Sequence, residues 1–247
     1  MPVRLCATLC VCLAAPLTSA DVITLGAGRD NTLYEDPNGT LSNGAGQHFF
    51  AGRTLDGELR RGLLYFDVAG ALPAGAQITG ASLTLYMSKT VSGAQTVALH
   101  RLAASWGEAG SVAPGEEGSG GEAQPGDATW LQRFYASQHN WTTPGGDFAQ
   151  SPSATASVAG IGYYTWTGAG LLADVQSWLA TPAGNFGWAV RGNETAIRST
   201  KRFGTRENTE PLYRPALRIE YIPEPATALL LPLGALLSRV SRRGRAG

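Results

Sequence analysis

Three groups of side chains in the 247-residue sequence have types and spacings that could support chemistry. The first is acidic. WGEAGSVAPGEEGSGGEAQPGD, residues 106–127, carries Glu108, Glu116, Glu117, Glu122 and Asp127 with almost no apolar content. Carboxylates are hard oxygen ligands suited to calcium, but the spacing follows neither an EF-hand nor a glycine-rich nonapeptide repeat. The composition therefore predicts a mobile, solvated connection, with a structural calcium site as the sharper alternative and no other cofactor. The second group is aromatic. Trp130, Tyr135 and Trp141 lie in DATWLQRFYASQHNWTTPGGDF with Arg133 between them, among polar residues and just before a Pro-Gly-Gly turn. Flat rings stack on sugars and a guanidinium meets carboxylates, so exposed rings here would form a ligand platform. On that reading Trp141→Ala weakens glycan binding and leaves the fold intact; if the tryptophan is core, the same change unfolds the domain. The third group is basic: RSTKRFGTREN, residues 198–208, places Arg198, Lys201, Arg202 and Arg206 around Phe203. Forked guanidinium groups on Arg202 and Arg206 suit uronate carboxylates. The structural alternative, which we weight more heavily, pairs Arg206 with Glu207, or with Asp30 and Glu35, to pin the first strand.

Catalysis finds little support. His48, His100 and His139 stand far apart, with no HxxxH or HxH spacing for zinc. His100, in VALHRLA, reads as a partly buried structural residue on a strand. There is no G-x-S-x-G elbow. Paired carboxylates could hydrolyse a glycoside, but spacing alone does not bring two of them face to face. The nucleophilic thiol is also missing from the body of the chain, because Cys6, Cys10 and Cys12 all precede residue 20.

Those cysteines belong to a segment with Arg4, an apolar stretch from Leu5 to Ala15 and small residues at Thr18 and Ala20, the layout of a signal peptide over residues 1–20. An exported chain without cysteine forms no disulfide and must stand on its core. Acids outnumber bases by four between residues 21 and 222, since Glu224 is the one acid outside that range while Arg4, Arg239, Arg242, Arg243 and Arg245 are the bases. No basic stripe points to nucleic acid. At the other end, residues 223–247, PEPATALLLPLGALLSRVSRRGRAG, join an apolar run too short to span a bilayer stably to a basic cluster. This reads as a transient membrane hold.

The elements that must position these residues are short strands. In QITGASLTLYMSK, Ala81, Leu83, Leu85 and Met87 alternate with Ser82, Thr84, Tyr86 and Ser88, the period of a half-buried strand. NFGWAV repeats the alternation at Phe186, Trp188 and Val190, and PALRIEY at Leu217, Ile219 and Tyr221. RGLLYFDV is continuously apolar and suits a central strand. One segment differs: Leu171, Leu172, Val175, Trp178 and Leu179 fall on one face of a helix near residues 170–180, stopped by Pro182. With 32 glycines and 14 prolines for turns, the pattern predicts one all-β domain over residues 21–222, an antiparallel sandwich of jelly-roll type with one short helix.

Along residues 22–221 the chain resembles the DNRLRE-domain proteins. Asp30-Asn31-Thr32-Leu33-Tyr34-Glu35 is similar to the naming motif, with Thr32 and Tyr34 where that motif has arginines. Arg61 to Asp67, Ile78 to Leu85, Trp106-Gly107-Glu108, Asp127-Ala128-Thr129-Trp130, Gly145-Gly146-Asp147-Phe148, Asp174-Val175-Gln176 with Trp178, Gly187-Trp188 and Lys201 to Glu207 follow in order. Pro223-Glu224-Pro225 with its apolar run and arginines resembles a PEP-CTERM sorting signal. The second resemblance implies a bacterial protein, export through the inner membrane and processing by an exosortase. It makes the Asn-x-Thr sequons at Asn38, Asn140 and Asn193 incidental. The first implies a carbohydrate-binding module for polysaccharide; the aromatic and basic segments themselves offer Trp130, Arg133, Tyr135, Trp141, Arg202 and Arg206 as the contact residues to examine. Three functions remain in order: a non-catalytic surface module binding exopolysaccharide, a structural matrix protein without a specific ligand, and a polysaccharide hydrolase or lyase.

Overall fold

A computed structural model describes residues 19–224. The signal-peptide assignment, apart from its last two residues, and the sorting segment beyond Glu224 lie outside the described residues. In chain order the strands are β1 (Asp21–Gly26), β2 (Arg29–Tyr34), β3 (Leu41–Ser42), β4 (His48–Arg53), β5 (Leu59–Tyr65), β6 (Gln77–Thr90), β7 (Gln95–Arg101), β8 (Gly121–Glu122), β9 (Ala154–Val158), β10 (Gly162–Trp166), β11 (Trp188–Arg191), β12 (Lys201–Gly204) and β13 (Ala216–Ile222). Helix α1 (Val68–Ala71) precedes β6, and α2 (Ala169–Ala180) follows β10.

All ladders are antiparallel. One sheet runs β1-β13-β6-β12-β4-β5-β11-β7-β9, with β10 on β6 and β2 on β5. It curls at β4, whose His48–Ala51 pair with β12 while Gly52 and Arg53 pair with β5. The two halves close over a core of Phe49, Leu64, Leu85, Met87, Val97, Trp166, Trp188, Phe203 and Leu217, giving the expected all-β, sandwich-like fold. Alternation along β6 explains its half: Leu83, Leu85 and Met87 are buried while Ser82, Thr84, Tyr86 and Ser88 are not. Close packing at the centre needs Gly62, where a Cβ would collide with the Phe49 ring.

Helix α2 caps one end of the core with Leu171, Val175 and Trp178, and Leu172 and Leu179 are only partly covered. Its range agrees with the sequence reading. The single-turn α1 was not expected; Asp67 caps it, accepting from Gly70 N at 3.0 Å. Lys201, grouped by sequence with the arginines around Phe203, does not share a surface with them. It is fully buried, and its Nζ donates to Thr90 Oγ1, Ser92 O, Gly93 O and Ala159 O at 2.7 to 3.2 Å. A buried ammonium needs such partners, and this one ties the β6–β7 turn to the segment after β9. Burial lowers its pKa.

Candidate functional site

The central strands β5 and β11 are apolar on both faces. Leu64, Trp188 and Val190 point into the core above, while Leu63 and Ala189 point outward with Leu33 of β2. An uncovered face of this kind would expose a large apolar patch. The long connection between β7 and β9 covers it, laying Leu102, Trp106, Ala128, Trp130 and Trp141 across the sheet as a second core.

This corrects two expectations. The aromatic platform is not exposed: Trp130 is 7% and Trp141 5% accessible. Trp141 Nε1 donates to Thr129 O at 2.9 Å and Trp106 Nε1 to Phe186 O at 2.8 Å, so the indoles are satisfied inside the protein. Tyr135 is half-buried, and Arg133 spends its guanidinium on Ser105 O and Asn140 O, both at 3.3 Å. Nor is the acidic stretch a solvated connection. Glu117, buried, accepts from Gln47 N, His48 N and Asn43 Nδ2 at 2.8 to 3.1 Å; burial would raise its pKa, but the His48 imidazole 3.4 Å away, Asn43 and Gln47 N together lower it. Asp127, fully buried, accepts from Ala109 N at 2.6 Å and Gln124 N at 2.8 Å. These carboxylates terminate backbone N–H groups that have no strand partner.

Arg202 and Arg206 stand apart from Trp130 and Trp141, and both are engaged. Arg202 Nη1 donates to Glu116 Oε2 at 2.5 Å and Nε to Ser88 Oγ at 3.0 Å. Arg206 bonds Glu108 through Nε (3.1 Å) and Nη2 (2.9 Å), lies 2.8 Å from Glu207, and donates its backbone N–H to Asp30 Oδ2 at 2.7 Å. The Glu207 ion pair is the one the structural reading gave for Arg206; Asp30 is met through the Arg206 backbone N–H instead of its guanidinium, and Glu108 pairs in place of Glu35.

Above the second core a cleft of about 600 Å³ opens, lined by Arg61, Thr142, Thr143, Asp147, Phe148, Gln150 and Arg191 among others. Its floor is an ion-pair network. Arg61 Nε and Nη2 donate to Glu194 at 2.7 and 3.0 Å, and Arg191 Nε and Nη2 donate to the same carboxylate at 3.1 and 2.6 Å. Burial would raise the Glu194 pKa, but bonds from Arg191 and Arg61 hold it down at about 2. Arg61 also donates to Gly145 O at 2.8 Å and lies 4.9 Å over the Trp130 ring, while Arg191 lies 4.9 Å over Phe148. Gly145, at φ +87°, fits because a Cβ would strike Arg61 and Trp130.

The rim is equally fixed. Asp147 accepts from Thr142 N and Thr143 N at 2.9 Å each, closing the turn that carries both hydroxyls. His100, 6% accessible on β7, bonds Ala149 O through Nδ1 at 2.8 Å beneath Phe148. Burial lowers its pKa, as suits a structural histidine. The cleft thus presents Thr142, Thr143, Gln150, Phe148 and a partly exposed Arg191, with two guanidinium groups balanced by two carboxylates, Glu194 below and Asp147 at the rim. Its one lining carboxylate, Asp147, is committed to the turn. The arrangement suits hydroxyl-rich ligands and lacks the facing carboxyl pair that glycoside hydrolysis uses.

The sequence reading reached this region through the wrong residues. Arg61 lies 130 residues before Arg191, which pairs with Glu194 three residues on; the one local signal at Arg61 is the arginine pair Arg60-Arg61 at the start of the apolar run of β5. No family model matches the chain, and no curated protein matches it.

Proposed function

We propose that the protein is a non-catalytic, exported polysaccharide-binding module that takes its ligand in the cleft over Arg61 and Arg191. The observation that carries this reading is the cleft's composition: rigid hydroxyls, an amide, an aromatic edge and a guanidinium converge in about 600 Å³, with the arginines already oriented by Glu194. Preorganised groups lose less entropy on binding a flexible glycan. The resemblance to DNRLRE-domain carbohydrate modules supports the same class of ligand. The PEP triplet, apolar run and arginines of residues 223–247 support export, transient retention at the inner membrane and exosortase processing.

A glycan array with residues 21–222, cut at the outer ends of β1 and β13, tests the proposal. Retention of a polysaccharide that Arg191→Ala weakens about tenfold is the expected result, the scale of one charge-assisted contact. Absence of binding to any glycan would favour the matrix role, and turnover of a bound glycan would favour the enzyme.

A further inference from the structure

The cleft does not use the acidic cluster on the opposite side of β5. Asp30, the second residue of β2, is fully buried. Its Oδ2 accepts from Arg206 N, its own N–H donates to Glu108 Oε1 at 2.8 Å, and its Oδ1 has no hydrogen-bond partner. Glu207 repeats the pattern: Oε1 faces Arg206, and Oε2 is buried without a partner. One carboxylate oxygen from each of Asp30, Glu108 and Glu207 falls within 4.8 Å of the others. Three acids therefore meet with Arg206 as the guanidinium in direct contact, and two buried oxygens are left without a donor. Unpartnered buried oxygens are costly, so they call for a proton or a cation between them.

We propose that Asp30, Glu108 and Glu207 form a calcium site, in which Asp30 Oδ1 and Glu207 Oε2 are ligands and Glu108 shares its carboxylate between the ion and Arg206. The geometry fits: calcium–oxygen bonds of about 2.4 Å place even opposite ligands about 4.8 Å apart. All donors are hard oxygens with no histidine or cysteine among them, which favours calcium over zinc or copper. A divalent ion also neutralises the excess charge that three carboxylates and one guanidinium leave. Water would complete the six to eight oxygens calcium takes. The ion joins β2, the start of the β7–β9 connection and the turn after β12, cross-linking distant segments in a domain whose described residues contain no cysteine. Of the five acids in residues 106–127, only Glu108 belongs to this site; the partners come from elsewhere in the chain.

The test uses the full chain, stripped with chelator and titrated with calcium chloride at neutral pH by calorimetry and by thermal melting. One calcium ion per chain and a raised Tm are expected. Glu108→Gln and Glu207→Gln should each weaken binding at least about tenfold, while Glu122→Gln, an exposed acid of the same connection, should not. Terbium emission sensitised through Trp106, two residues from Glu108, gives a second readout, and calcium should quench it by displacement. If a glutamine variant folds poorly, displacement of terbium from the unsubstituted chain still decides the matter. The proposal is overturned by no heat, no Tm shift and no terbium signal up to millimolar metal. Unchanged affinity in both glutamine variants would overturn it too, as would a stripped protein that ignores calcium and gains Tm on mild acidification, the mark of a shared proton.

Discussion

Trp141 has a single polar atom, and it donates to Thr129 O inside the second core. Its ring therefore acts in folding rather than recognition, and Trp141→Ala should destabilise the domain by about 3–5 kcal/mol in urea unfolding, the range for truncating a buried tryptophan. Unchanged stability with weakened glycan binding would restore the exposed-platform reading. Glu194 makes a different prediction because its carboxylate serves two guanidinium groups at once. Its folded-state pKa, about 2, lies below the ordinary 4.5, so the native state resists protonating it. The associated stability is fully present above about pH 4.5 and is lost as pH falls toward 2. Glu194→Gln should cost about 2–4 kcal/mol at neutral pH, because Arg61 and Arg191 lose their counter-charge, and should flatten the acid limb of the stability profile. Urea midpoints measured across that range decide it; parallel profiles for the two proteins would contradict the assignment.

At the level of elements, alternation and apolar runs predict β6, β11, β13 and α2 because one or both of their faces meet a core, and burial leaves a period in the sequence. The β7–β9 connection leaves no such period. Its tryptophans are scattered, each placed by the outward Leu63 and Ala189 of strands far away in sequence, and a carboxylate that caps buried N–H groups is written with the same letter as one in water. Residues 106–127 therefore look disordered by composition and are instead held by Glu117, Asp127 and the Tyr34 hydroxyl, which donates to Glu117 O at 2.8 Å. Likewise Arg206 was legible as a latch, since its neighbours Glu207 and Asp30 could be named, but the cleft pair Arg61 and Arg191 was not, since only the β5–β11 register, Arg61 against Arg191, brings them together. Limited proteolysis should spare residues 106–127 under native conditions despite their glycine content. Early cleavage there by a broad-specificity protease would show that these bonds do not hold the segment.

For the whole molecule, the described residues contain no helix long and apolar enough to cross a membrane. The retention proposed above rests on the sequence after Glu224, and if that segment is processed, mass spectrometry of protein from an exosortase-bearing host should find material ending near Glu224. An intact Gly247 on secreted material would refute processing. The place of β13 bears on how such a chain is made. It is the last strand among the described residues, yet it sits inside the sheet, with Asp21–Gly26 on one side and Gln77–Thr84 on the other. Translation proceeds from the N-terminus, so β1 and β6 leave the ribosome long before the strand that must lie between them, and β1 has no other neighbour in the sheet. The seat of β1 in the sheet is therefore not complete until β13 has emerged. An N-terminal strand left without its partner until the end suits the export proposed above, since a chain that is not yet closed can be threaded through a narrow channel.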